Sequence, residues 1–497
     1  MPQGEAAAEN RMQDILGKFR KFAYTDFYLA AFAAIVFIAW TTESAEFGFV
    51  ALIALTCFAL VTLDDILPLT APLFYAMCMI FTDKVEDFLF MWPTFIPLGI
   101  AVAIFLVRNT SRARRPGSMT VPQIAMSLAL LLGGAGTVSA ADYLKALPNT
   151  LFLGVGVLAV YLLVYCYAGR DDRRDVGLYF SKMLMWLGFA VLAEIAVWYI
   201  RADLPPAQWG TVARDFGWGI ENNAATILSL SAPMCFYLAV RYRMGGIYVL
   251  CGLAQYVGII LTYSRGGILM AAVTAPVCLV LAMVKALDKK RMGICYAVIA
   301  AVIVLCVAVC YDELKAAVDS LFDQGFGPSS RDILYAEAWQ LFLSRPFLGV
   351  GLGYYGDNFA INTMQFYWFH STLFQMLANM GVVGLAAYAF YYVARFRTIR
   401  RLRNPFNLFT LVAWLGFEGY SMMDTGTFVP FPTMTLVLVT AGIAEIVSSR
   451  PEFRGEADAY NRTFSRKGVP ALARKYDAFT PAYVRLAGQT VSVAAGK

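Results

Sequence analysis

Two arginines of this chain have the chemistry and the setting to bind an anion. Arg265 stands in "LTYSRGG" between two long apolar runs, and Arg331 begins the segment "RDILYAEAWQ". A guanidinium is always charged and can bind a phosphate through two parallel hydrogen bonds. The alternative for each is an ion pair with a carboxylate such as Asp332 or Glu337, or contact with lipid headgroups. Both arginines are therefore candidates for binding a substrate that carries phosphate.

A single histidine, His370, ends the aromatic stretch "QFYWFH". Its ordinary pKa of about 6.5 suits a general base at neutral pH. The competing interpretation is an aromatic anchor at the membrane boundary, because aromatic residues are enriched there. The residues alone leave both interpretations open.

Five further polar residues are functional candidates, and all but Asn222 are assigned to substrate binding. Arg214, Glu221, Asn222 and Asn223 lie where an apolar run begins, and Asp424 lies in "EGYSMMDTG" at the end of another. Charged residues at or within the membrane boundary are often functional. Asp424 is suited to hold an arginine in place, whereas Glu221 could equally be a solvated loop residue.

The composition indicates an integral membrane protein that must position these side chains. Of the 497 residues, 59% are hydrophobic and 15% are charged, whereas soluble domains carry about 25% charge. Repeated apolar runs of nearly membrane-spanning length predict an all-α, polytopic fold. The net charge of +6 resides in loops, so we expect membrane lipids as partners and no nucleic acid.

The apolar runs predict about fourteen transmembrane helices. The third and the thirteenth are short, so the expected range is twelve to fourteen. Lys and Arg concentrate in alternate loops, including 394–406, which predicts that both termini are cytoplasmic. The predicted spans are 26–40, 46–62, 67–81, 90–107, 121–139, 151–168, 178–200, 223–240, 246–263, 267–284, 293–310, 371–393, 407–421 and 429–447.

The chain is expected to form one membrane domain, 26–447, between a cytoplasmic N-terminal segment, 1–25, and a basic cytoplasmic tail, 448–497. Residues 311–370 form a large extracytoplasmic loop that is rich in aromatic residues. Loops of this length are usually functional or disordered.

Within that loop, "GPSSRDILYAEAWQLFLSRP" predicts an amphipathic helix. Ser329 or Ser330 would cap the helix, and Pro346 would end it. The glycine-rich "FLGVGLGYYGDN" that follows predicts a turn region.

Several kinds of chemistry lack their usual motifs. The sequence contains no HExxH, no P-loop and no G-x-S-x-G, and the first outer loop, "TTESAEF", has no Asp-x-Asp. The nine cysteines fall within apolar runs or at their ends, and neither a disulfide framework nor a zinc spacing is apparent. We expect no cofactor and no metal.

Three segments together resemble the O-antigen ligase and O-antigen polymerase superfamily of bacterial envelope glycosyltransferases. "LTYSRGG" is similar to its Ser-Arg-Gly motif after a span. "SSRDILYAEAWQLFLSRPFLGVGLGYYGDNF" is similar to its long outer loop, and "HSTLFQMLANMGVVGLAAY" to its histidine followed by a span with a Gly-x-x-Gly turn. The order and spacing also agree, and the resemblance covers roughly 220–395.

The resemblance implies that Arg265, Arg331 and His370 form the core site. Members transfer a glycan from undecaprenyl pyrophosphate to an acceptor hydroxyl at the outer face of the cytoplasmic (inner) membrane, in cell-surface polysaccharide biosynthesis. The implied partners are that lipid-linked donor, a glycan or lipid acceptor and envelope-assembly proteins. Members commonly have about twelve spans, so fourteen departs from the pattern.

Two other functions remain open at this stage. A flippase or other transporter of lipid-linked oligosaccharides would show charges near the midplane and two related halves, neither of which is apparent. A non-catalytic scaffold or receptor of the envelope is the second alternative. The sequence does not identify the acceptor, so it does not separate ligase from polymerase.

Overall fold

A computed structural model of the chain is helical almost throughout the part it describes. That part comprises residues 2–79, 91–135, 150–170, 175–210, 214–216, 219–242, 245–323, 331–352, 368–400, 404–424, 426–427 and 432–449, with the single positions 143, 144, 147 and 212. The prediction of an all-α fold is confirmed. The described exception is a hairpin of two-residue strands, β1 (Asp215–Phe216) and β2 (Gly219–Ile220).

Seventeen α-helices occur in the described residues. They are α1 (Pro2–Phe22), α2 (Asp26–Thr41), α3 (Ala45–Thr62), α4 (Thr70–Cys78), α5 (Phe95–Asn109), α6 (Thr120–Leu132), α7 (Val157–Tyr167), α8 (Val176–Ala202), α9 (Glu221–Arg241), α10 (Gly245–Leu261), α11 (Arg265–Lys285), α12 (Lys289–Val309), α13 (Tyr311–Asp323), α14 (Arg331–Ser344), α15 (Thr372–Arg400), α16 (Pro405–Met423) and α17 (Pro432–Ser449).

Seven of the described helices are long and apolar enough to cross a membrane. An eighth candidate pairs the end of α1 with α2 across a bend of 76°. A helix overlaps each of the fourteen predicted spans, but several of these helices are short, so the count of fourteen stays a prediction. The seven are Ala45–Thr62, Met91–Arg112, Val176–Ala202, Glu221–Arg241, Arg265–Lys285, Lys289–Val309 and Thr372–Arg400.

Helix α9 lies at the centre of the bundle. Its candidate membrane-spanning window is entirely buried, and it packs against α8, α10, α11 and α16. Small residues along α9, such as Ala224 and Ala225, let neighbouring helices approach closely. The Ser231 hydroxyl donates to Gln255 Oε1 at 2.7 Å and ties α9 to α10. By contrast, α12 is almost fully exposed and lies at the periphery.

Helix α15 is broken where the predicted Gly-x-x-Gly turn begins. Gly381 has φ 61° and ψ −153°, which is not helical. A Cβ at this position would lie 2.5 Å from the Pro346 carbonyl oxygen, so glycine is required for both conformation and space. The break separates a first segment, 372–380, from a longer second segment, 382–400.

The backbone groups around this break pair with the glycine-rich segment 346–351. The Val350 amide donates to the Ala378 carbonyl at 2.9 Å, and the Val382 amide donates to the Pro346 carbonyl at 2.8 Å. Such pairing satisfies the backbone groups that a broken helix would otherwise leave without partners. The contact fixes α14, which precedes the segment, against α15. The remainder of the predicted turn region, 353–358, lies outside the described residues.

The loop 311–370 differs from its prediction. It contains two described helices, and α13 was not predicted. Helix α14 ends at Ser344, shortly before Pro346, as expected, but the exposed side chains of Ile333 and Trp339 show that its apolar residues are not confined to one face. The amphipathic prediction is therefore wrong for α14. The predicted caps Ser329 and Ser330, and the tail from residue 450 onward, lie outside the described residues.

One assignment at the end of the predicted twelfth span is also wrong. Helix α15 continues to Arg400, so Arg395 is not part of a solvated basic loop. Its guanidinium is buried and forms an ion pair with Glu418 of α16 at 2.6 Å. This pair joins the second segment of α15 to the middle of α16.

Candidate functional site

Asp424 connects two of the predicted site residues. His370 Nδ1 lies 3.1 Å from Asp424 Oδ1, and Arg331 Nη2 lies 3.6 Å from Asp424 Oδ2. Arg331 Nη1 also donates to the Met423 carbonyl at 2.6 Å. Asp424 caps the C-terminal end of α16, so this helix end, the start of α14 and the residues before α15 meet at one place. We call this cluster of Asp424, His370 and Arg331 the triad.

The backbone of His370 is held in an unusual conformation. Its φ is +50°, a left-handed conformation that is uncommon for residues other than glycine. The Tyr335 hydroxyl donates to the His370 carbonyl at 3.0 Å. Backbone strain that the surroundings enforce is typical of functional sites.

A small apolar cluster fixes α14 beside His370. Phe369, Ala338 and Ala378 are buried against one another. The rings of Tyr335 and Phe374 stack at 4.5 Å with 10° between their planes. Burial raises the pKa of Tyr335, with Arg331 opposing the rise and Asp424 adding to it. The phenol therefore stays protonated at neutral pH and remains a donor to His370.

The segment that carries Arg265 reaches the triad through Tyr420. The Tyr420 hydroxyl lies 3.3 Å from Asp424 Oδ2 and 3.3 Å from the Asn222 carbonyl oxygen. Asn222 Oδ1 in turn accepts the Ser264 hydroxyl at 2.6 Å. A Cβ at Gly266 would lie 3.1 Å from the Tyr420 ring, so glycine lets α11 begin this close to the ring without a shift of either group.

Arg265 is therefore placed next to the triad by its neighbours. Ser264 caps α11, because its side chain accepts from the Gly267 amide. Arg265 is the first residue of the helix, and its side chain is exposed. Since Gly266 contacts Tyr420 and Tyr420 contacts Asp424, the three resembling segments meet at one end of the bundle, which we call the site end.

A second cation lies on the other side of the same turn. The Arg214 guanidinium is buried and lies 4.3 Å from the centre of the Tyr263 ring. Its Nε and Nη2 atoms have no hydrogen-bond partner among the described residues. Tyr263 has φ +57°, so the turn that leads into Arg265 is itself strained. A buried cation with unpaired donors is costly unless an anion binds there.

Two other predicted residues lie at the start of α9. Glu221 begins the helix and is partly exposed, and Asn223 is buried in its first turn. The neighbouring candidate Asn222 links the segments. Tyr420 was missed by the sequence analysis, because nothing in "EGYSMMDTG" distinguishes a linking tyrosine from an interfacial one.

The site can accept a proton and bind an anion. The side chains of His370 and Arg331 are each 33% exposed, against 11% for Asp424. Within the described part of the chain, His370 Nε2 has no hydrogen-bond partner, and no cluster of three His, Cys, Asp or Glu residues could hold a metal ion. A carboxylate on Nδ1 favours the tautomer whose Nε2 is unprotonated and basic.

The fold and the site together define a multi-pass membrane protein with a histidine, a carboxylate and several arginines at one end of its helices. Residues 247–389 match a family model described as O-antigen ligase. The predicted resemblance to the O-antigen ligase and polymerase superfamily is confirmed. The matched region includes Arg265, Arg331 and His370, whereas Asp424 and Arg214 lie outside it. No curated protein matches the chain.

Proposed function

We propose that this protein is a glycosyltransferase of the O-antigen ligase and polymerase type. It transfers a glycan from undecaprenyl pyrophosphate to an acceptor hydroxyl at the outer face of the bacterial cytoplasmic membrane. The observation that carries the proposal is the contact of Asp424 with both His370 and Arg331. It brings a general base and a phosphate-binding group from separate segments into one site.

His370 acts as the base. Its Nδ1–H donates to Asp424, and Nε2 takes the proton of the acceptor hydroxyl. The hydroxyl oxygen then attacks the anomeric carbon of the donor sugar, and the bond between that carbon and the pyrophosphate oxygen breaks. The electron pair leaves with the pyrophosphate, and attack from the opposite face inverts the anomeric configuration.

The arginines stabilise the leaving group. Negative charge on the pyrophosphate grows as the bond breaks, so fixed cations lower the barrier. Arg331 contacts Asp424, Arg265 precedes the glycine that packs on Tyr420, and Arg214 presents buried donors at the Tyr263 ring. We assign all three to the pyrophosphate, and we propose that they make a metal ion unnecessary.

Three predicted residues receive secondary roles. Asp424 orients His370 and Arg331. It does not contact the substrate itself and acts on it through these two side chains. Glu221 and Asn223 remain candidates for sugar binding by their place at the start of α9. Ligase and polymerase differ in the acceptor, so a transfer assay with a set of acceptors distinguishes them.

The direct test supplies purified protein in vesicles with an undecaprenyl-pyrophosphate-linked glycan and a set of acceptors. We expect a new glycosidic product, and we expect Arg331→Ala to abolish it. Arg345→Ala is the matched control, because Arg345 follows the other end of α14 and is exposed. It should retain the wild-type rate.

The same vesicles distinguish the alternatives. If the wild-type protein moved the lipid-linked glycan across the bilayer without forming a bond, the chain would be a transporter. If it neither transferred nor moved the glycan with any acceptor, the scaffold interpretation would replace the proposal.

A further inference from the structure

Helix α13 has one face that packs on the protein beside the site. The Ala317 carbonyl accepts the Tyr263 hydroxyl at 3.1 Å. The buried Ser320 hydroxyl accepts the Gly210 amide at 2.6 Å. A Cβ on Gly210 would lie 2.1 Å from the Ser320 carbonyl oxygen. The helix is therefore fixed in rotation, and each of its other faces has a defined direction.

A second face carries exposed apolar side chains. Tyr311, Leu314, Val318 and Phe322 follow one another at helical spacing and are 58%, 42%, 48% and 56% exposed. This spacing places them in a single stripe along the helix. We call these four residues the α13 stripe.

The third face is acidic. Asp312 and Asp319 are exposed, and helical geometry puts them about 100° around the helix from the stripe. A helix with one face on protein, one apolar and one charged is suited to the boundary between lipid and water. There the stripe would face lipid and the aspartates would face water.

The position of α13 in the chain indicates what covers the stripe. The preceding helix, α12, is a candidate membrane span that is nearly all exposed to its surroundings. It ends at Val309, which is 73% exposed, and α13 begins at Tyr311. The stripe therefore continues the lipid-facing surface of α12 at the membrane boundary.

We infer that α13 binds the membrane surface at the site end, with the α13 stripe inserted among the phospholipids of that leaflet. Its inner face holds Tyr263 and Gly210, so the leaflet supports the turn that precedes Arg265. This inference does not depend on the reaction. A second copy of the chain or another protein on the stripe would be a different occupant.

Photo-crosslinking of the full-length protein in phosphatidylcholine vesicles tests the inference. In one variant, the photoreactive residue p-benzoylphenylalanine replaces Val318 on the α13 stripe. In the matched control variant, it replaces Asp319 on the acidic face. After illumination, intact-mass spectrometry should find an adduct of one phospholipid in the variant at position 318. It should find no such adduct in the variant at position 319. Because one variant can fail to fold, the pair Leu314 and Asp312 repeats the comparison.

Three results would overturn the inference. They are no lipid adduct on the stripe in either folded pair, equal lipid adducts on the two faces, and chain-to-chain adducts in place of lipid at position 318. The last would identify the stripe as an interface between protein chains.

Discussion

Helix α16 carries two carboxylates whose surroundings differ sharply. Glu418 lies in the middle of the helix and is saturated by donors. Its oxygens accept the Tyr388 hydroxyl at 2.7 Å and Trp414 Nε1 at 2.9 Å, and Arg395 lies 2.6 Å away. Asp424 caps the end of the same helix, and its contacts with Tyr420, His370 and Arg331 are 3.1–3.6 Å long.

The difference separates a buried structural ion pair from the ion pair of the candidate site. Arg395 and Glu418 are almost completely buried, and Arg395 also lies over the rings of Tyr391 and Trp414. No substrate reaches them without unpacking the helices. By contrast, the side chains of His370 and Arg331 are partly exposed, so a substrate can exchange with water there. A carboxylate paired with an arginine therefore stabilises the packing of α15 on α16 in the middle of the helix. At the end of the same helix, another such pair belongs to the candidate site.

The largest effect is expected at the triad. In His370→Asn the rate of glycan transfer should fall about 10²- to 10⁴-fold, because the general base is lost. Asparagine tolerates the left-handed backbone that His370 adopts, so folding should be retained. The rate and the melting temperature of the purified variant are the measurements. A lowered melting temperature with a normal rate would reverse the assignment.

Removing the buried carboxylate should act on stability instead. Glu418→Ala leaves Arg395 buried without its partner, which costs about 3–5 kcal/mol. Denaturant unfolding in detergent measures the change. Glu418→Gln, which keeps an acceptor for Tyr388 and Trp414, should lose less. Equal losses in both variants would mean that the charge of Glu418 does not matter.

Asp424→Asn should lower the transfer rate by about ten- to a hundredfold, since a hydrogen bond to a charged group is worth about 1.5–3 kcal/mol. Its unfolding free energy should stay within about 1 kcal/mol of wild type, because the ion pair is 3.6 Å long and its arginine is partly exposed, and such pairs contribute little. If Asp424→Asn unfolded as readily as Glu418→Ala, the contrast between the two carboxylates would be lost.

The break at Gly381 lies between the α15 segment next to His370 and the segment that carries Arg395. Gly381→Ala places a Cβ on a backbone at φ 61° and ψ −153°, a region essentially restricted to glycine, which costs about 1–3 kcal/mol, and the contact with Pro346 adds to this. Gly99→Ala is the control, because nothing lies within 4 Å of the Cβ it would add. Unfolding of the two variants gives the comparison; equal stabilities would show that the break is not required.

Chelation should have the smallest effect. If Arg265, Arg331 and Arg214 neutralise the pyrophosphate, the transfer rate in EDTA should equal the rate without it. A loss of transfer that Mg²⁺ restores would show that a metal shares this role.

The sequence singles out individual candidate residues, but it does not show how they are connected. Arg265, Arg331 and His370 stand in segments whose order could be compared with a family. The link from Ser264 through Asn222 to Tyr420 joins residues that are far apart in the chain. No local pattern encodes such a link, because it depends on how α9, α11 and α16 pack.

The fold was predictable where the apolar runs were long. Arg395 was assigned to a loop because a cation after an apolar run usually marks the membrane boundary. Its partner Glu418 is on the next helix, and a single sequence does not show that the two neutralise each other. The amphipathic pattern of α13 was overlooked because it directly follows the long apolar run of α12.

The most direct test of the account is a double-mutant cycle on glycan transfer by purified protein. It compares wild type, His370→Asn, Asp424→Asn and the double variant. If Asp424 acts mainly by orienting His370, adding Asp424→Asn to His370→Asn should slow transfer by a much smaller factor than Asp424→Asn slows the wild-type protein. Rate losses that multiply in the double variant would show that the two residues act independently. A wild-type protein that forms no product would contradict the account as a whole.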